Sequence, residues 1–110
     1  MIQKLKLTNY RNFKEKLIVF SPKTTVIIGD NASGKTNILE SLFLLSTGKS
    51  FHSHLEEEMI RNGQELARIK GKTEEATLEV VLTRGQIEVG DSKFEKTPRK
   101  KLLVNGVARR

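Results

Sequence analysis

The chain has 110 residues, 36% apolar and 30% charged, a size and balance that suit one small domain with a modest core. It has no cysteine, which excludes a disulfide framework and thiolate metal sites. It has no apolar run near the roughly 20 residues of a membrane-spanning helix and no h-region at its start, so the expectation is a cytoplasmic protein with no membrane partner. Net charge is +7, and residues 91–110 carry seven Lys/Arg against two Asp/Glu, either as a solvated tail or as a surface for polyanions.

Residues 2–8 alternate, with Leu5 and Leu7 on one face, and predict a strand. A turn-like stretch follows at 9–13, then a second strand at 17–20 that stops at Ser21-Pro22. Residues 24–28 are β-branched or apolar in succession, as in a central strand buried on both faces. Ile38, Leu39, Leu42 and Leu45 fall at helical spacing, and Phe43 and Leu44 widen the stripe. That pattern predicts a helix buried on most of its surface against the sheet, with Gly48 placed to end it.

The second half changes period. Leu55, Met59 and Ile60 suit a short amphipathic helix that closes near Asn62-Gly63, with Glu56, Glu57 and Glu58 at its start, where carboxylates favour the helix dipole. Leu78, Val80 and Leu82 alternate with polar neighbours, and Ile87 and Val89 do so again after Arg84-Gly85. Leu102, Leu103 and Val104 lead into Asn105-Gly106, a strong two-residue hairpin signal. The Lys-rich stretch 91–101, with Pro98, reads as a mobile loop. The expected architecture is one α/β lobe, with strands, a loop and a helix in residues 1–50, then a short helix and an antiparallel β meander in 51–110.

Gly29-Asp30-Asn31-Ala32-Ser33-Gly34-Lys35-Thr36 meets the pattern G-x-x-x-x-G-K-[ST] in full, between a predicted strand and a predicted helix. The residue types fit a nucleoside triphosphate. Successive backbone N–H groups from Asn31 to Thr36 can converge on a β-phosphate, and the two glycines allow close approach. The helix N-terminus adds partial positive charge. Lys35 is a flexible charge for the β- and γ-phosphates, and Thr36 offers a hydroxyl to Mg²⁺. The expected ligands are therefore ATP and Mg. Motif and fold alone do not name the reaction, since kinases, GTPases, motors and two-lobed ATPases share this cradle.

Three stretches carry a closer resemblance. "LKLTNYRNF" resembles the opening strand and turn of the RecF family of SMC-like DNA repair ATPases. "GDNASGKTNILESLFLLSTGKSF" resembles that family's extended phosphate-binding segment, and "EEEMIRNG" followed by "ARIKG" resembles the next helix and strand. The resemblance runs to about residue 71 and continues as strand rhythm to the Asn105-Gly106 hairpin. It implies the first lobe of an ABC/SMC-like P-loop ATPase head. The intact protein is then expected to act in DNA replication, DNA damage repair and the SOS response. It would bind DNA gaps and single-strand/double-strand junctions with ATP, as an ATP-dependent homodimer, alongside other recombination mediator proteins. By the same resemblance Arg11 and Asn12 help hold the nucleotide. Tyr10 as a buried strut and Arg11 as a residue that merely tops a strand stay open beside it. His52 stands where relatives usually carry Arg, so no fixed cationic contact is expected there, and His52 and His54 alone are too few for a metal site.

Hydrolysis in this family also needs an apolar strand ending in Asp-Glu and a Leu-Ser-Gly-Gly-like signature. Asp30 and Asp91, the two aspartates, fit neither pattern. The expectation is a fragment of a longer ATPase with no catalytic residues of its own and little turnover alone. Two other classes remain: the head of a different SMC-like ATPase followed by a coiled coil, and a small-molecule kinase using Arg99, Arg109 or Arg110.

Overall fold

The computed structural model describes residues 2–20, 32–49 and 56–109, with the backbone alone for 32–35. The predicted strand 24–28, the motif residues Gly29, Asp30 and Asn31, and Phe51, His52, His54 and Leu55 lie outside the described residues.

Strand β1 (Lys4–Tyr10) turns tightly into β2 (Phe13–Val19), and the two pair antiparallel with Leu5 opposite Ile18. The second strand thus starts four residues earlier than its apolar stretch predicts, because Phe13 closes the ladder opposite Tyr10. The chain then reaches helix α1 (Ala32–Thr47) and a single 3-10 turn, Glu56–Met59. It returns as β3 (Leu66–Lys72) on the free side of β1, with Leu7 opposite Ile69. β4 (Thr77–Thr83) pairs next to β3, then β7 (Lys100–Val104) and β8 (Val107–Arg109) extend the sheet. The order is β2-β1-β3-β4-β7-β8, so strands from both halves of the chain share one antiparallel sheet.

The alternation of each strand sends one set of side chains to the core. Leu5, Leu7, Ala67, Ile69, Val80 and Leu82 are buried from the sheet, and Ile38, Leu44 and Leu45 from α1. Each such Leu, Ile or Val side chain contributes about 1.5–3 kcal/mol when fully buried. Tyr10 joins this set out of phase. A positive φ of 50° at Asn9 breaks the two-residue period, so Tyr10 is buried three positions after Leu7.

The helix is buried along one stripe, not over most of its surface. Leu39 and Phe43 are 54% and 41% exposed, while Glu40 and Ser41 are enclosed beside Leu44. A sheet covers only one side of a helix, and here the covered side includes a carboxylate. Ser41 tolerates burial because its hydroxyl donates to the Ile38 carbonyl at 2.6 Å. Gly48 ends the helix with φ 75°, and its N–H donates to the Leu44 carbonyl.

The stretch predicted as a loop at 91–101 contains β6 (Phe94–Lys96), paired with β5 (Gln86–Glu88) in a small separate hairpin. Its tip bends through Gly90 and Ser92, both at positive φ, and Val89 donates to the Lys93 carbonyl. The hairpin at Asn105-Gly106 forms as the sequence predicts, with φ of 51° and 80°.

Candidate nucleotide-binding site

The site is built where the β1–β2 turn meets the first turns of α1. Helix α1 opens at Ala32, inside the Gly29–Thr36 motif, so its first N–H groups have no intrahelical acceptor. The motif residues Ala32, Ser33, Gly34 and Lys35 form that first turn, and Thr36 follows with an exposed side chain. Above it sits the turn. Asn37 of α1 donates its side-chain amide to Asn12 Oδ1 at 3.3 Å, tying the turn to the helix.

Arg11 sits in the left-handed region at φ 54°, a strained position for a residue with a long side chain. Contacts on both sides of the backbone hold it there. Its N–H donates to the Met59 carbonyl at 2.7 Å, and Arg61 N–H donates to the Asn9 carbonyl at 2.7 Å. Its guanidinium grips Glu40 with both arms, Nε to Oε1 at 3.0 Å and Nη2 to Oε2 at 2.9 Å. The Tyr10 hydroxyl donates to the same Oε1 at 2.5 Å. Such a planar fork suits Arg and not Lys.

The electrostatics follow from these contacts. Burial raises the Tyr10 phenol well above its ordinary value, and the hydrogen bond and charge of Glu40 raise it further. The hydrogen bond to Glu40 also raises Arg11, against the opposing effect of burial. Both groups therefore keep their protons at neutral pH.

An open cleft of about 750 Å³ lies beside this cluster, lined by Arg11, Asn12, Asn37, Ile60, Arg61 and Asn62 together with Glu58. Arg61, the Glu40-paired Arg11 and three side-chain amides face this space beside Glu58, next to a helix N-terminus whose partial positive charge favours an anionic, hydrogen-bonding ligand. Of the expected site residues, Arg11 and Asn12 are thus brought to the motif's helix. Tyr10 is the buried strut. Asn37, Glu40, Arg61 and Asn62 were not singled out from the sequence. Their signal was faint: Asn37 and Glu40 are three apart in α1 and share a face, which is where a partner for the preceding turn would stand. Glu56 and Glu57, read as dipole-favouring carboxylates, instead pair with Lys100 at 3.0 Å and Arg99 at 2.8 Å.

Residues 1–101 match the family described as an AAA ATPase domain, and the chain belongs to that family. Its fold is that of a P-loop ATPase head of the ABC/SMC-like type. Within that class the similarity is to RecF. The chain is 41% identical over 80 residues to the DNA replication and repair protein RecF of Alkaliphilus oremlandii, covering 73% of this chain and 22% of that protein. It is 43% identical over 77 residues to the protein of the same name from Limosilactobacillus fermentum, covering 70% and 21%. The solved structure of the recombination mediator protein RecF with ATP, from the RecFOR pathway, aligns with a TM-score of 0.77 at 26% identity. That alignment covers 100% of this chain and 28% of the other. The chain spans about a fifth of the length of the curated relatives it matches.

Proposed function

We infer that the chain is the ATP-binding N-terminal lobe of a RecF-like DNA replication and repair protein. The observation that carries this reading is the fastening of the Arg11–Asn12 turn over the first turns of the helix that issues from the Gly29–Thr36 motif. In this reading the N–H groups of the first turn and Lys35 hold the β- and γ-phosphates, and the Thr36 hydroxyl holds Mg²⁺. Arg11 and Asn12 face the nucleotide from the turn, and the left-handed backbone at Arg11 presents them. The intact protein uses ATP to pair two heads on DNA and releases them on hydrolysis. The chain binds nucleotide and contributes no catalytic group of its own.

Titration of the chain with Mg-ATP by calorimetry tests this. Lys35→Ala is expected to abolish measurable binding while the circular dichroism spectrum is unchanged. Wild-type affinity in the folded variant, or no binding by the folded wild type, would overturn the assignment.

A further inference from the structure

The sheet has two faces, and α1 occupies one of them. Leu45 of the helix packs against Gly71, and Gly48 lies against Leu102, both on the inward face. The registers place a different set of residues on the opposite face. Lys4 stands opposite Lys72, Lys6 opposite Lys70, and Thr8 opposite Arg68. One strand further, Arg68 stands opposite Val81, which in turn faces Lys101. The outward face therefore gathers Lys4, Lys6, Arg68, Lys70, Lys72 and Lys101, and all six are exposed.

Two carboxylates share that face. Glu15 pairs with Lys6 at 3.3 Å and Glu79 with Arg68 at 3.6 Å. Among the described residues, Lys4, Lys70, Lys72 and Lys101 have no ion pair. They come from β1, β3 and β7, and with β4 between them they span about 14 Å at the ordinary strand spacing, with neighbours along a strand about 7 Å apart. The Arg99 and Lys100 charges of the basic C-terminal stretch are, by contrast, spent on Glu57 and Glu56.

We propose that this outward sheet face is a docking surface for the sugar-phosphate backbone of duplex DNA. The inference rests on the DNA-binding reading above and assigns it a place in this lobe. The charge is of the right sign, and four of the six cations, Lys4, Lys70, Lys72 and Lys101, have no ion pair among the described residues. Among the described residues, Tyr10 of β1 is buried and Phe13 of β2 packs against the core, so these strands offer the face no platform for stacking unpaired bases, which single-strand binders use. Lysine ammonium groups on a rigid sheet contact phosphates without reading sequence. A second copy of the chain is a poor occupant, since like charges would meet across the contact.

The test uses fluorescence anisotropy with a 30-base-pair duplex, in the presence of Mg-ATP, across a salt series. The variants are Lys70→Glu/Lys72→Glu, its milder form Lys70→Gln/Lys72→Gln, and a control in the small hairpin, Lys93→Glu/Lys96→Glu. The expected result is at least a tenfold loss for the first variant, a smaller loss for the second and none for the control. The slope of log affinity against log salt should flatten by about 1.8 for two phosphate contacts, from the usual 0.9 per contact. Wild-type binding with undiminished affinity in both face variants would overturn the proposal and leave the DNA reading standing. Equal loss in the control would overturn it in favour of a diffuse charge effect. Absence of salt-dependent binding by the wild type would overturn both. Tighter binding to phosphatidylserine vesicles than to duplex, lost in the face variants, would overturn it in favour of a lipid surface.

Discussion

The Glu40 carboxylate is 2% exposed and accepts from the Tyr10 hydroxyl and from both arms of Arg11. Its partners lie 29 and 30 residues away in sequence, so one side chain fixes the turn to the helix. Removing one member of such a buried pair leaves the others desolvated and unmatched. Glu40→Ala should therefore destabilise the fold by about 3–5 kcal/mol in urea denaturation. Glu40→Gln keeps a hydrogen-bond acceptor and should lose less. Tyr10 supplies a pH signature. Its phenol is held above the ordinary value of 10.0 in the folded chain, so the unfolded chain releases this proton first as pH rises. The associated stability is complete below pH 10 and declines above it, because the unfolded state then binds fewer protons. Melting temperature should fall more steeply above pH 10 in the wild type than in Tyr10→Phe. Parallel curves would refute this linkage.

Among the elements, α1 and its seat on β3 decide the packing. A Cβ added at Gly71 would collide with Leu45 Cδ2. A strand glycine normally gains from replacement, since it lacks a side chain to pack. Here the sign reverses, and Gly71→Ala should cost about 1–3 kcal/mol in a thermal melt. Leu39→Ser, on the exposed side of the same helix, should stay within about 0.5 kcal/mol. These elements were legible to different degrees. The helix, the two-residue hairpin at Asn105-Gly106 and the strand of Leu78, Val80 and Leu82 follow from local period and turn chemistry. The inward Tyr10 does not, because it depends on the backbone angle at Asn9, which tertiary contacts impose. Nor does β6: Phe94, Glu95 and Lys96 have no alternating apolar pattern and form a strand by pairing with β5. Glu40 was hidden for a related reason. An acidic residue at an inward helical position looks like an error until its distant partners are known.

At the scale of the molecule, charge is divided between committed and uncommitted cations. Glu56 and Glu57 tie the 3-10 turn to Lys100 and Arg99, and these pairs are partly exposed. Glu57→Gln should therefore change stability by no more than about 1 kcal/mol in urea denaturation. The motif Gly29–Thr36 and the resemblance to RecF pointed to a candidate nucleotide site before any geometry, since both are written in short contiguous stretches. The outward basic face was not legible, because its lysines come from three separated strands and meet only through register. The sheet order has one more consequence, and it concerns time. β1 pairs with β2 across a tight turn, but with β3 only after the chain has travelled through residues 20–65. The entropy of closing that excursion grows only as the logarithm of its length, so its size costs little equilibrium stability. Contacts so distant in sequence do slow folding. The phosphate motif lies inside the excursion and so belongs to the part of the chain enclosed late. Lengthening residues 20–65 would be felt first in the rate at which a competent site appears, and much less in how firmly it persists.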